Sequence, residues 1–150
     1  MRTGIVLSLM IALLTVGMYV YSGNNTGTNN VEAQTMSEPD KLMVVWTSGD
    51  RDVAIKMVFM YAYNAKKNGW WDEVTLVVWG PSSKLLSTDT ELQEYIAKMK
   101  DEGVILEACK ACADMYGVSD KLAAMGIDVK YMGQPLTDAL KAPGWKVVTF

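Results

Sequence analysis

The chain has 150 residues, of which 50% are hydrophobic and 21% charged, with a formal net charge of −3. This length suits one α/β domain, and the composition excludes a disordered protein and a basic nucleic-acid-binding surface. The sequence contains no histidine, which excludes Ser-His-Asp and Cys-His catalytic units and histidine-ligated zinc. Any chemistry must therefore use a bound cofactor or cysteine, carboxylate, lysine and hydroxyl side chains, and the two thiols are Cys109 and Cys112.

The first 21 residues predict an export or membrane segment. Residues 4–21 carry no charge and follow Arg2, a pattern typical of a signal peptide or an uncleaved signal anchor. The apolar run is long for a signal peptide, whereas Val31-Glu32-Ala33 satisfies a small-residue cleavage rule far beyond it, so both alternatives stay open. Either way, the rest of the chain is predicted in the cell envelope, in a periplasmic or extracytoplasmic location, anchored to the inner membrane if residues 4–21 are retained.

Residues 22–40 are rich in Gly, Asn, Thr and Ser and predict a flexible tether, whereas residues 41–150 predict an α/β domain. We predict strands at Leu42–Trp46, Val74–Trp79, Val104–Glu107, Ile127–Tyr131 and Lys146–Phe150. We predict helices at Asp52–Asn68, after a Thr88-x-x-Glu91 capping box, at roughly Lys110–Tyr116, from a Ser119 cap to Met125, and from Pro135 onward. Because the strands are continuously apolar, both sheet faces must be covered, which predicts a three-layer α/β/α domain with a five-stranded, mainly parallel sheet.

Ligand sites in such sheets lie in the loops that leave the carboxyl ends of the strands. The candidate ligand-pocket residues lie in the loops after the first three strands: Thr47, Ser48, Gly49 and Asp50, then Gly80, Pro81 and Ser82, then Lys110. The hydroxyls, the glycine and the helix amides of the first loop are compatible with an anion-binding loop. The residues by themselves favour a plain turn in which Asp50 caps the following helix.

The loop after the third strand contains Cys109-Lys110-Ala111-Cys112. Cys109 lies where a strand gives way to a helix, so the helix N-terminus and the adjacent Lys110 favour its thiolate. A C-x-x-C motif in an α/β context indicates redox exchange, persulfide carriage or half of a metal site, and the alternative is a pair of small buried apolar residues. We predict no metal, because a structural zinc site needs more donors unless two chains share the ion.

Several stretches together resemble a known family. They are Val44-Val45-Trp46-Thr47-Ser48-Gly49, Val77-Val78-Trp79-Gly80-Pro81-Ser82, Gly103 to Ala113 with its C-x-x-C, Gly126 to Gly133, and Trp145 to Val148. This set resembles the DsrE/DsrF-like family of small sulfur-handling proteins over essentially all of residues 41–150. The resemblance implies a doubly wound α/β/α fold, oligomers built from trimers, and a cysteine after the third strand that passes on sulfane sulfur as a persulfide. Cys109 matches that cysteine, and Cys112 matches a second cysteine found in one branch of the family.

The leading hypothesis is therefore an envelope-facing sulfur carrier, similar to a sulfurtransferase, with catalytic Cys109 and Cys112. Its expected partners are persulfide-donating and thiol-accepting proteins or small polysulfides, with no cofactor and no nucleic acid. A CxxC dithiol/disulfide redox protein is the second hypothesis. The third is a non-catalytic module that binds a small anion or nucleotide in the Ser48–Arg51 and Gly80–Ser83 loops. Whether the protein turns over as an enzyme stays open.

The first predicted helix, Asp52–Asn68, is apolar nearly all the way round before Asn64. A surface helix of a monomer has one apolar and one polar face, so a second protein surface is expected to cover this one. Together with the resemblance, the pattern predicts a homo-oligomer, a trimer or a hexamer, with Met57, Met60 and Tyr61 or Tyr63 as contacts.

Overall fold

The computed structural model describes residues 39–150. The predicted export or anchor segment and residues 22–38 of the predicted tether lie outside the described residues, and the envelope location stays a prediction. Within residues 39–150, no helix combines the length and the apolar character needed to cross a membrane.

The described residues contain a five-stranded sheet in which every pairing is parallel. The strands are β1 (Lys41–Trp46), β2 (Glu73–Val78), β3 (Ile105–Cys109), β4 (Asp128–Lys130) and β5 (Trp145–Thr149). Their order across the sheet is β4-β3-β2-β1-β5. The predicted fold class is confirmed, and β3 runs further than predicted, so that it ends at Cys109 itself.

Helices connect the strands in chain order. They are α1 (residues 51–67), α2 (Pro81–Thr88), α3 (Thr90–Asp101), α4 (Lys110–Met115), α5 (Ser119–Ala124) and α6 (Gly133–Lys141). Within α1, the segment Ala54–Phe59 is π-helical, which the apolar pattern of the sequence did not indicate. The consecutive side chains of Val58 and Phe59 are both fully buried in this segment.

The start of α3 differs from the predicted capping box. Thr88 is the last residue of α2, and Asp89 is the residue that caps α3. The backbone of Asp89 is extended, and its carboxylate accepts a hydrogen bond from the Leu92 N–H at 3.1 Å. The physical reason is that the Arg51 guanidinium donates to the same carboxylate at 2.8 Å, which holds Asp89 in the capping position.

Two further helix starts are corrected by the structure. Ser119 lies inside α5 and makes no capping hydrogen bond, because Val118 occupies the N-cap position. The Ser119 hydroxyl instead donates to Asp114 at 2.5 Å. The last helix begins at Gly133, so Pro135 lies within its first turn, where a missing N–H costs nothing.

The direction of the connections decides which face of the sheet each helix covers. From β1 to β4 the chain crosses the sheet in one direction, so right-handed connections place their helices on one face, here called the front face. The last connection returns from β4 to β5, and its helix α6 lies on the opposite, back face.

The buried side chains likewise form one cluster on each face of the sheet. The front-face core consists mainly of Leu42, Val44, Trp46, Val58, Phe59, Val74, Leu76, Val78, Leu86, Leu92, Ile96, Met99 and Leu122. The smaller back-face cluster consists of Met43, Val45, Val77, Cys109, Met132 and Ala139. Cys109 therefore belongs to the back face, beside α6.

We predict that Asp89→Ala destabilises the protein, because it removes the N-cap of α3 and the partner of Arg51. The hydrogen bond from the Leu92 N–H and the ion pair with Arg51 lower the pKa of Asp89. Its stabilising effect should therefore be fully present above the unfolded-state value of about 3.9 and disappear as the pH falls through the lower folded-state value.

Urea unfolding curves at several pH values measure this effect, with Thr88→Ala as the matched control. We expect the control to remain close to the wild type, because the Thr88 hydroxyl bonds only to carbonyls of its own helix. If Thr88→Ala lowered the midpoint as much as Asp89→Ala, the assignment of the cap would be wrong.

Candidate functional site

Cys109 lies at the junction of β3 and α4, as the sequence predicted. It is the last residue of β3, and its extended backbone makes it the N-cap of α4. Its side chain is only 4% exposed and packs into the back-face cluster with residues that include Val77 and Met132. The candidate nucleophile is therefore almost enclosed by apolar atoms.

Cys112 lies in the first turn of α4, half-buried, and packs against the same back-face cluster. The two thiols are free, and they are within hydrogen-bonding reach of each other. Burial is the main cause that raises the pKa of Cys112, and the neighbouring Cys109 sulfur raises it further. The Cys112 thiol is therefore harder to ionise, and it lies where it can donate a hydrogen bond to the Cys109 sulfur.

The backbone of Gly80 reaches the same pair from the loop after β2. Its N–H donates to the Cys112 sulfur, which partly opposes the rise in the pKa of that thiol. Gly80 adopts a φ of 70°, a conformation that favours glycine. The turn therefore uses a glycine to direct a backbone donor at a cysteine.

The loop after β1 uses its polar groups to hold its own shape. The Thr47 hydroxyl donates to the Phe150 carbonyl at 2.7 Å, and the Ser48 hydroxyl accepts from the Asp50 N–H at 3.0 Å. The Asp50 carboxylate accepts from the N–H groups of Asp52 and Val53. Asp50 is thus the N-cap of α1, and these two amides are already occupied.

Ser82 joins the two loops at the carboxyl edge of the sheet. Its buried hydroxyl donates to the Trp46 carbonyl at 2.6 Å and accepts from the Trp79 N–H at 3.0 Å. The bonds connect the end of β1 to the residue that follows β2. Ser82 therefore positions the turn that carries Gly80.

The cleft that two of the predicted pocket residues line does not include the cysteines. Gly49 and Pro81 line a cleft of about 450 Å³ together with Lys84, Thr88 and Tyr116, and neither thiol lines that cleft. Of the predicted pocket residues, the structure brings the Gly80 backbone to the thiol pair.

The ammonium group of Lys110 is directed at a carboxylate. Its Nζ bonds to both carboxylate oxygens of Asp114, at 2.9 and 2.6 Å. This hydrogen bond raises the pKa of Lys110, and the same bond, followed by that from Ser119, lowers the pKa of Asp114. The charge of Lys110 is thus balanced one turn along its own helix.

Sequence reasoning did not single out Met132 as a site residue. Met132 is fully buried in the back-face cluster, and Trp79 packs against it. Both residues follow the carboxyl ends of strands, which is the signal that could have indicated them. Among the residues that the structure describes, no group of three or more Cys, Asp or Glu could hold a metal ion.

Comparisons with known proteins agree with the observed fold. The DsrE/DsrF-like family matches residues 40–150. The structure of a conserved protein of unknown function from Bacteroides thetaiotaomicron, BT1422, is 40% identical, with a TM-score of 0.70 over 74% of this chain and 95% of that chain. The ychN protein from E. coli is 15% identical, with a TM-score of 0.57 over 75% of this chain and 100% of that chain, and shows the shared fold. No curated protein matches the chain.

The fold and the site thus place the chain among small α/β domains that carry cysteines at the carboxyl edge of a parallel sheet. The match over residues 40–150 is more specific: the chain belongs to the DsrE/DsrF-like family.

We predict that Ser82→Ala destabilises the fold by about 1–3 kcal/mol, because it removes a hydroxyl that bonds to buried backbone groups. The matched control is Ser83→Ala on the same helix. Ser83 is also fully buried, but its hydroxyl has no hydrogen-bond partner within residues 39–150, so its removal should be neutral or stabilising. Equal losses of unfolding free energy in chemical denaturation would contradict the role assigned to Ser82.

Proposed function

We propose that this protein carries sulfane sulfur as a persulfide on Cys109. The observation that supports this most directly is the position of Cys109 at the junction of β3 and α4, buried beside a second thiol. The chain is a member of the DsrE/DsrF-like family, and the resemblance of its motifs to that family implies sulfur relay. Cys109 matches the position at which the family accepts sulfur.

The proposed step conserves the oxidation state of the transferred sulfur. The Cys109 thiolate attacks the outer sulfur of a donor R–S–SH, so that a new S–S bond forms while the donor S–S bond breaks and R–S⁻ leaves. An acceptor thiolate then attacks the outer sulfur of the Cys109 persulfide, and the Cys109 thiolate departs. Neither transfer consumes an oxidant or a reductant.

The burial of Cys109 limits the size of the sulfur donor that can reach it. A thiol that is 4% exposed offers little room for a bulky partner, which favours inorganic polysulfide or another small persulfide over a protein-bound donor. The Cys112 thiol lies beside Cys109 and can donate a hydrogen bond to the attacking sulfur.

A dithiol/disulfide redox function is the second candidate. The observation in its favour is the contact between the two thiols across the start of α4. The two functions differ in their dependence on Cys112, because carriage of sulfur needs one thiol and a disulfide needs both.

We expect brief treatment of the reduced protein with inorganic polysulfide to add one sulfur atom, about 32 Da, to Cys109. Mass spectrometry of peptides after alkylation measures the adduct. Cys112→Ser keeps the Cys109 thiol and should still acquire the sulfur, whereas Cys109→Ser should not. Absence of the adduct on Cys109 in the Cys112→Ser protein would refute the carrier function.

We also propose that α1 forms part of an interface in a homo-oligomer. Met57 and Met60 on this helix are 50% and 51% exposed, and Trp70 just beyond its end is 58% exposed. The Tyr61 and Trp70 rings lie 6.4 Å apart, and Tyr61 also lines an apolar groove together with residues of β5. Exposed apolar side chains on and beside α1 support contact with another protein surface.

Light scattering on a chain that starts near Ser37 tests this interface without the apolar segment 4–21. We expect a trimer or hexamer, and we expect Met60→Glu to weaken it because the new carboxylate would have to be desolvated at the contact. The matched control is Met115→Glu on α4, where the side chain is 86% exposed. A monomer at micromolar concentration, or equal effects of the two substitutions, would contradict the interface.

A further inference from the structure

We propose that Cys112 resolves the persulfide on Cys109, releasing sulfide and leaving a Cys109–Cys112 disulfide. This inference rests on the proposed persulfide chemistry. It gives bound sulfur a second outcome besides transfer to an acceptor: reduction to sulfide by the protein's own thiol.

The geometry of the pair supports this step. Cys109 has an extended backbone at the end of β3, and Cys112 lies in the first turn of the helix that begins directly after it. Both side chains pack into the back-face cluster, and the two thiols lie close enough for Cys109 to raise the pKa of Cys112. The inner sulfur of a Cys109 persulfide would occupy the position of the present thiol, so the Cys112 sulfur would already be beside it.

The atoms and electrons of the step balance within the protein. The Cys112 sulfur attacks the inner sulfur of Cys109–S–S⁻, and the bond between the inner and outer sulfurs breaks. The proton of the Cys112 thiol passes to the departing sulfur, which leaves as HS⁻. The sulfane sulfur is reduced to sulfide, and the two thiols are oxidised to one disulfide.

The enclosure of Cys109 also favours attack by a thiol of the same chain over attack by an external acceptor. Cys109 is 4% exposed, so an external acceptor must reach an almost enclosed sulfur, whereas Cys112 is part of that enclosure. An attacking group held in contact acts at a high effective concentration. The Gly80 N–H, which donates to the Cys112 sulfur, would favour loss of the Cys112 proton, which the attack requires.

The experiment uses the reduced full-length chain in mild detergent, treated with a limiting amount of inorganic polysulfide. Alkylation at successive times, peptide mass spectrometry and a colorimetric sulfide assay follow the products. In the wild type we expect a transient adduct on Cys109, then a Cys109–Cys112 disulfide with one equivalent of sulfide more than the loading step alone releases in Cys112→Ser. In Cys112→Ser we expect the adduct to persist about tenfold longer or more, without that disulfide, because the contacting thiol is gone.

Ala111→Ser is the matched control, since it places a hydroxyl on the same turn at an exposed position. It should leave the lifetime of the adduct unchanged. Equal lifetimes in the wild type and Cys112→Ser would overturn resolution while leaving the carrier function intact. A wild-type disulfide without matching sulfide, or accumulation of the adduct on Cys112 in Cys109→Ser, would also overturn it. Absence of any adduct on Cys109 in Cys112→Ser would remove the carrier function itself, and resolution with it.

Discussion

Parallel strands joined by right-handed connections have all their carboxyl ends at one edge of the sheet, and the candidate site depends on this constraint. The constraint brings Gly80 after β2 and Met132 after β4 to the same edge as Cys109 at the end of β3. It also makes the two faces unequal in the number of helices that cover them, because the chain crosses from β1 to β4 in one direction and returns through α6. The thiol pair lies on the returning side, where the core is the smaller one.

At this edge two opposing effects act on the thiols. Burial disfavours an ionised sulfur, whereas hydrogen bonds from backbone or thiol donors favour it. The structure supplies one donor to each position: the Gly80 N–H points at Cys112, and the Cys112 thiol can donate to Cys109. The rise in the pKa of Cys112 means that the pair carries one negative charge more readily than two. Such a pair is suited to a single nucleophile assisted by a neighbouring proton donor.

The strands were predictable because their apolar runs are continuous, and the place of Cys109 followed from the change from strand to helix around it. The N-cap of α3 was not predictable, because Thr88 and Asp89 are both good capping residues. The choice between them depends on Arg51, which is distant in sequence. The pairing of Lys110 with Asp114 was readable as an i,i+4 contact. Contact between Gly80 and Cys112 joins different loops, which periodicity within one segment does not encode.

Burial links the two proposed outcomes for sulfur at Cys109. A persulfide anion in the back-face cluster would be a charge among apolar side chains, with the half-buried Cys112 thiol beside it. Transfer to an acceptor removes that charge by carrying the sulfur away. Attack by Cys112 removes it as well, because sulfide departs and the remaining disulfide is neutral and apolar. The same enclosure that protects the bound sulfur from solvent therefore favours its release, and the rate at which an acceptor reaches Cys109 decides between the two outcomes.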